Sequence, residues 1–498
     1  MSPPPVVVEL LPAPAPEAAW RSLLGLPWLL WLDSATDREH LGQFSFLTAD
    51  PWARVRSTAS VTEHSIAGGP WTPGEGDALA GVRQLLAPFE AATVPGIPPF
   101  QGGAAGYIGY DWGRVLERLP SPRYADLDVP DVMFGLYDWV MAWDHRAGRA
   151  WLVSTGMPAE GAEREERAAG RIAEVRSWLE GGKALKDSLT VAGRREGGSA
   201  TVTPPALPPS RPPAFVVEGV DAAIRHGIRS TFTREGYLAA VARVREYILA
   251  GDIFQANLSQ RFEALVNEPA PALYERLRRV NPAPFAAYLA FDDVELLSAS
   301  PERFLRLEPV TRTVETRPIK GTRPRGTGPM HDAALGLALA ESEKDRAENV
   351  MIVDLLRNDL SRVCRPGTVR APELFALEHH PTVHHLVSTV TGILDQDRTA
   401  ADLLRATFPG GSITGAPKVR AMEIIAELEP TRRATYCGSI GYLGLDGALD
   451  TSIVIRSYLL RRGTAYFQAG GGIVADSDPA SEYQETLDKA LGLMEALG

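Results

Sequence analysis

The stretch ATYCGSIGYLGLDGALDTSIVIRSYLLRRGTAYFQA, residues 434–469, decides the fold class. Its apolar runs, 434–443, 449–460 and 464–469, are parted by Asp446-Gly447 and Arg462-Gly463, dipeptides suited to tight turns. The pattern predicts three antiparallel strands in a meander. Asp478-Pro479 then opens a terminal helix reaching Leu497, with apolar positions Tyr483, Leu487, Ala490, Leu491 and Met494. Further back, apolar periodicity predicts helices at 162–179, 234–250, 341–363, 402–406 and 416–428, and strands at 294–297 and 304–307. Antiparallel strands mixed with helices give an α+β protein, not a doubly wound parallel sheet.

At 498 residues the chain is too long for one ordinary domain. Residues 1–185 mix short strands with turns, including the Gly-rich run 102–110, which suits either a tight sheet interior or a ligand loop. Residues 186–214 are rich in Gly, Ser, Thr and Pro and read as a linker or exposed loop. Residues 215–498 form the second domain. The net charge of −11 argues against a nucleic-acid binder, because phosphate binding needs a basic surface. Two cysteines, Cys364 and Cys437, exclude a disulfide framework and suit a reducing cytosol. Residues 1–16 lack the basic segment of a signal peptide, and the most apolar run, 23–32, is half a membrane span and contains Pro27. A cytoplasmic protein with no membrane partner is expected.

Two predicted helices each carry acids three residues apart, on one helix face: Asp345 with Glu348, and Glu482 with Glu485. Four carboxylates on two helix faces suit one hard cation such as Mg2+. The competing reading is the helix dipole, which favours acids in a first turn. Lys320 stands in TRPIKGT, 316–322. A free lysine is neutral at pH 7 in roughly one molecule in 2,500, so a lysine nucleophile needs desolvation or nearby cations. Arg317, Arg323, Arg325 and a bound metal are the candidate cations. Arg456 lies among apolar neighbours and needs a carboxylate, either from a ligand or from a structural ion pair. Gly470, Gly471 and Gly472 offer backbone N–H groups to an anion, or a bare hinge. The loop 409–418, which holds Ser412, opens a helix and also aims N–H groups outward.

Taken together, SPERF (300–304), PIKGT (318–322), EKDRAENVMIVDLLRNDL (343–360), HHLVS (384–388), GSITGAPKVRAM (411–422), IVIRS (453–457), QAGGGIVADSDP (468–479) and SEYQET (481–486) resemble the chorismate-utilising enzymes. That family includes anthranilate synthase component I, aminodeoxychorismate synthase component I, and the isochorismate and salicylate synthases. The resemblance runs over about 225–498 and is weaker in 1–185. It implies antiparallel sheets packed as a sandwich with helices outside. It also implies Glu348 and Glu485 as Mg2+ ligands, supported by Asp345 and Glu482. Arg456, Tyr436 and the N–H groups of Gly470–Gly472 fall at positions that bind chorismate, as do Gly321, Thr322 and Ser412. Glu302 corresponds to the general acid for the departing C4 hydroxyl, and His385 to the residue near that hydroxyl.

Two positions separate the family's members. Water-using relatives carry a lysine base where this chain has Gln255. Anthranilate synthases carry alanine where this chain has Lys320, and lysine there is the mark of the aminodeoxychorismate synthases. The resemblance therefore implies a synthase subunit that makes 4-amino-4-deoxychorismate, toward 4-aminobenzoate and folate, through a covalent Lys320 intermediate. Anthranilate synthase component I is the alternative, and a non-enzymatic tryptophan-sensing subunit the remaining one. Neither Cys364 nor Cys437 sits in a glutaminase nucleophile elbow, so ammonia is expected from a separate glutaminase subunit. Ser34, Pro284 and Phe285 match the region where relatives hold tryptophan.

Overall fold

The computed structural model describes residues 4–36, 41–181, 212–380 and 383–498. The predicted linker 186–214 lies outside them, apart from its last three residues. Among the described residues the strands form two antiparallel sheets of 13 and 12 strands. Each sheet draws strands from both ends of the chain. In the first, Leu29–Asp33 pairs with Phe285–Phe291; in the second, Gly103–Ile108 pairs with Ser439–Gly444. The sheets face each other across a core that includes Trp28, Phe46, Tyr107, Ile440 and Leu459. Helices cover both outer faces over further apolar cores, so the predicted α+β sandwich stands.

The helices follow their local signals. Thr233 caps Arg234–Leu249 by accepting from Gly236 N–H at 3.0 Å, and Gly251, at φ +84°, takes the left-handed turn beyond it. Ser342 caps Glu343–Ser361, and Asp478 caps Pro479–Ala496 by accepting from Ser481 N–H at 2.8 Å. These caps bring the two acid-bearing helices to the core in the predicted places.

The meander is different from the prediction. Residues 434–438 are turn, with Ala434 and Cys437 at positive φ, and the strand begins at Ser439. The run 449–460 is two strands, Leu449–Ile453 in the second sheet and Ser457–Arg461 in the first. Val454, Ile455 and Arg456 carry the chain between sheets, and Arg456 has φ +54°. A long side chain in this left-handed conformation is strained, and the surrounding pairings hold it there. The glycines 470–472 are no hinge: they lie within Thr464–Ile473, paired with Ser259, Leu258 and Asn257.

Candidate active site

A cavity of about 640 Å³ opens where the crossing Val454–Arg456 meets the helices Glu343–Ser361 and Pro479–Ala496. Lys320, Gly321 and Thr322 enter it from the strand Ile319–Pro324. The pairing of that strand with Val383–Ile393 slips between Ile319 and Thr322, a bulge that re-aims the side chains around Lys320. Gly321 has φ +89°, and a Cβ there would meet Leu339 Cδ1 at 2.8 Å and Asp345 at 3.0 Å. Glycine is therefore required by both backbone conformation and space.

Lys320 Nζ donates to the Ser412 carbonyl at 3.0 Å. Burial lowers its pKa, against the pull of Glu348 and Glu302, while Lys489 lowers it further. The expected arginines are not its partners. Arg317 is bonded to Glu378, Arg323 pairs with Asp345 at 2.8 Å, and Arg325 binds both oxygens of Asp332 at 2.6–2.7 Å. Desolvation, helped by Lys489, does what sequence proximity had assigned to them.

Glu302 is buried beside Lys320. Burial pushes its carboxyl up to about 7, against the Ser412 hydroxyl, the Lys320 charge and the Ile319 N–H. A carboxylic acid near 7 carries a transferable proton at neutral pH. His385 Nδ1 lies 2.9 Å from Thr322 Oγ1, and burial, with the His380 and Arg456 charges, pushes the ring down to about 3. It is thus a neutral hydrogen-bonding ring.

Asp345, Glu348 and Glu485 face the same cavity from the two helices. Burial raises the Glu348 carboxyl, Lys320 and Lys344 oppose this, and Glu485 and Asp345 add to the rise. Burial acts on Glu485 in the same direction, but Lys489, Lys344 and Lys320 hold it below the usual range. Glu482 is turned away, buried and bonded to Ser477 Oγ at 2.6 Å. Gly471 sits behind this pair: a Cβ would stand 3.0 Å from Glu482 Oε2 and 3.4 Å from Glu485 Oε1. Among the described residues, no three acidic, histidine or cysteine side chains close on one point as a complete metal shell. Two half-buried carboxylates, Glu348 and Glu485, whose like charges oppose each other instead suit a cation that keeps waters and takes ligand oxygens.

Gly470, Gly472, Tyr436 and Ser412 also line the cavity. Arg456 projects into it from the crossing and donates from Nη1 to the Lys489 carbonyl at 2.6 Å. Among the described residues it has no carboxylate partner, so the structural ion pair is absent. Burial lowers its pKa, and it presents unpaired donors to the cavity. Beneath it, the buried Arg433 donates to Glu429, to the Ile413 carbonyl at 3.1 Å and to the Asn257 carbonyl at 2.6 Å. That clamp ties the Ser412 loop to the strand Gln255–Leu265.

Sequence reasoning missed Lys489, Lys344, Asn257 and Gln468, all of which line the cavity. Lys489 Nζ binds Glu485 Oε1 at 2.6 Å and the Gly470 carbonyl at 2.9 Å. Its place four residues beyond Glu485 was the available signal. Ser34, Pro284 and Phe285 meet elsewhere, at a separate cavity of about 120 Å³ between the sheets. There Ser34 Oγ donates to the Pro284 carbonyl at 3.3 Å. Cys437 is buried, and burial pushes its thiol up to about 12, far from a reactive thiolate.

The sequence pattern of the chorismate binding enzymes matches residues 29–495. The chain belongs to the chorismate binding enzymes. It is 42% identical over 484 residues to aminodeoxychorismate synthase component 1 of Klebsiella aerogenes, covering 97% of this chain and 96% of the relative. It is also 43% identical over 416 residues to anthranilate synthase component 1 of Thermus thermophilus, covering 83% and 81%. The structure of anthranilate synthase component I from Streptococcus pneumoniae superposes with a TM-score of 0.73 at 29% identity, over 91% of this chain and 92% of that one. The chain is thus a chorismate-utilising synthase with the fold of this family. Among its described residues, no helix is long and apolar enough to cross a membrane.

Proposed function

We propose that this synthase converts chorismate and ammonia to 4-amino-4-deoxychorismate, with Lys320 as nucleophile. The observation that carries the reading is a desolvated Lys320 amine in the same cavity as a Glu302 carboxyl held near 7. Arg456, with Tyr436 and the N–H groups around Gly470 and Gly472, takes the enolpyruvyl carboxylate. Glu348 and Glu485 would hold Mg2+, with Asp345 and Glu482 as outer supports. When bound, the ion neutralises the ring carboxylate and the charge that grows as the C4–O bond breaks.

The Lys320 amine attacks C2 while Glu302 gives its proton to the C4 hydroxyl, which leaves as water. The ring double bonds shift, and the new secondary ammonium loses a proton. Ammonia then adds at C4, the Lys320 nitrogen takes a proton as its bond to C2 breaks, and the new C4 ammonium gives one up, restoring the neutral lysine amine. Thr322 and the neutral His385 hydrogen-bond near the departing hydroxyl. Ammonia comes from a separate glutaminase subunit, consistent with the "component 1" in the relatives' names. The cavity at Ser34, Pro284 and Phe285 is where tryptophan would sit, as inhibitor or structural ligand, the alternative being that this chain binds none.

The rival product is anthranilate, favoured by the Thermus relative's identity and opposed by Lys320. Purified protein with chorismate, Mg2+ and ammonium decides between them. The expected product is 4-amino-4-deoxychorismate. Anthranilate with release of pyruvate would overturn the reading.

A further inference from the structure

The loop 408–417 is tied at its apex and at its base. At the apex the Ser412 carbonyl takes the Lys320 amine at 3.0 Å, and the Ser412 hydroxyl bonds the Glu302 carboxyl. One residue therefore touches both the amine and the acid. At the base the loop leaves the helix Ala400–Thr407 and enters the helix Lys418–Leu428. Lys418 Nζ donates back to the Thr407 carbonyl at 2.7 Å, which closes the loop on itself. It also donates to Asp359 Oδ2 at 2.5 Å.

Lys418 is out of place by ordinary rules. Lysine is seldom buried, and a cation is disfavoured in the first turn of its own helix. Its side chain is nevertheless only 12% exposed, and that of Asp359 only 4%. Burial works against both charges, and each opposes that effect on the other. A buried pair of this kind adds little net stability over apolar residues of similar volume. What it supplies is a fixed relation between the elements it joins.

Those elements are the loop and a helix that carries the acids. Asp359 stands 11 residues beyond Glu348 on Glu343–Ser361. That is about three turns and about 16 Å along nearly the same face. Leu355 lies on this face between them, and a Cβ on Gly411 would stand 2.8 Å from Leu355 Cδ2. The loop is thus pressed against the helix face at Leu355 and bolted to it at Asp359. Neither Lys418 nor Asp359 lines the cavity.

We infer that Lys418, with Asp359, is a positioning residue: it closes the loop and bolts it to the helix that carries Glu348, so that Ser412 holds the Lys320 amine and the Glu302 carboxyl in register. The inference rests on the roles proposed above for Lys320 and Glu302. Those roles are tested apart from it, by the wild-type product and the Lys320 adduct.

The test follows chorismate turnover and urea unfolding of the full chain in Lys418→Met, Asp359→Asn and the double variant. Lys418→Met should lower kcat per folded molecule at least about tenfold, the scale of a small misplacement, and leave KM for chorismate within about threefold, because Arg456 is untouched. It should also lower the urea midpoint, because Asp359 is left buried without its cation. In the double variant the midpoint should return toward wild type while kcat stays low. A merely structural pair predicts that kcat returns with the midpoint, and that result overturns the inference. So does a fall in kcat of less than about threefold in folded Lys418→Met, or a rise in KM that matches the fall. If neither methionine variant folds, Asp359→Asn decides: a fall in kcat of more than about threefold at unchanged KM upholds the inference, and a smaller fall overturns it.

Discussion

Replacing Glu302 with glutamine separates the acid's work from its cost to the fold. Burial raises this carboxyl from an ordinary 4.5 to about 7. A raised folded-state pKa means stability that is fully present below 4.5 and lost as pH rises through 7. At about 1.36 kcal/mol per pH unit the buried carboxyl costs about 3 kcal/mol at pH 8, where it must ionise in the fold, and about 1 kcal/mol at pH 5, where it stays protonated while the unfolded chain ionises. Glutamine keeps the shape and never ionises. Urea unfolding of wild type and Glu302→Gln at both pH values should therefore show a gain in the variant that grows from pH 5 to pH 8. Turnover of chorismate should fall by about 10²–10⁴-fold, the usual contribution of a general acid. Wild-type turnover should decline as pH rises through about 7. An unchanged stability difference between pH 5 and pH 8 would refute burial as the cause of the shift. Near-normal turnover in the variant would refute the acid role.

Lys320→Ala should still bind chorismate but lose the 4-amino product, and wild type held without ammonia should show an adduct on Lys320 by intact mass. If Lys320→Arg keeps substantial activity and no adduct appears, the covalent route is wrong, because arginine keeps the charge but not the nucleophile. Glu485→Gln should lower turnover sharply without recovery at ordinary Mg2+ concentrations, measured as a Mg2+ titration of rate; a normal titration curve would remove Glu485 from the metal site. Arg456→Ala should raise KM for chorismate by about 100-fold, from the loss of charge-assisted hydrogen bonds worth up to about 3 kcal/mol. A KM within about threefold of wild type would show that the carboxylate is held elsewhere.

Much of this was legible because the signals were local. Thr233 and Gly251 bracket one helix, and Ser342 and Asp478 start the two that carry the acids. The acid spacing placed Asp345, Glu348 and Glu485 at one cavity. What stayed hidden was long-range. Nothing near Gly103–Ile108 announces Ser439–Gly444 as its neighbour. The break at 454–456 was masked because Ile453-Val454-Ile455 are all β-favouring residues, and the turn is made by tertiary pairing. The arginines near Lys320 were misread for a related reason. Arg317 and Arg323 pair with Glu378 and Asp345, brought from later elements, while Arg325 is taken up by the nearby Asp332. Lys489 was missed although its spacing from Glu485 was readable, because an i,i+4 acid–base pair ordinarily means a solvated helix face.

The crossing between the sheets constrains the chain's length as tightly as its composition. On its far side Tyr458 packs into one core and Leu459 into another, with Ser457 opposite Ser298 and Tyr458 opposite Leu297. One residue added or removed between Ile453 and Ser457 would exchange those two faces along Ser457–Arg461, because side chains alternate with a period of two. It would also carry the guanidinium away from the Lys489 carbonyl. Insertions and deletions should therefore be excluded from these three positions even where substitutions are accepted. A library that varies loop length across this protein would recover no active members altered there.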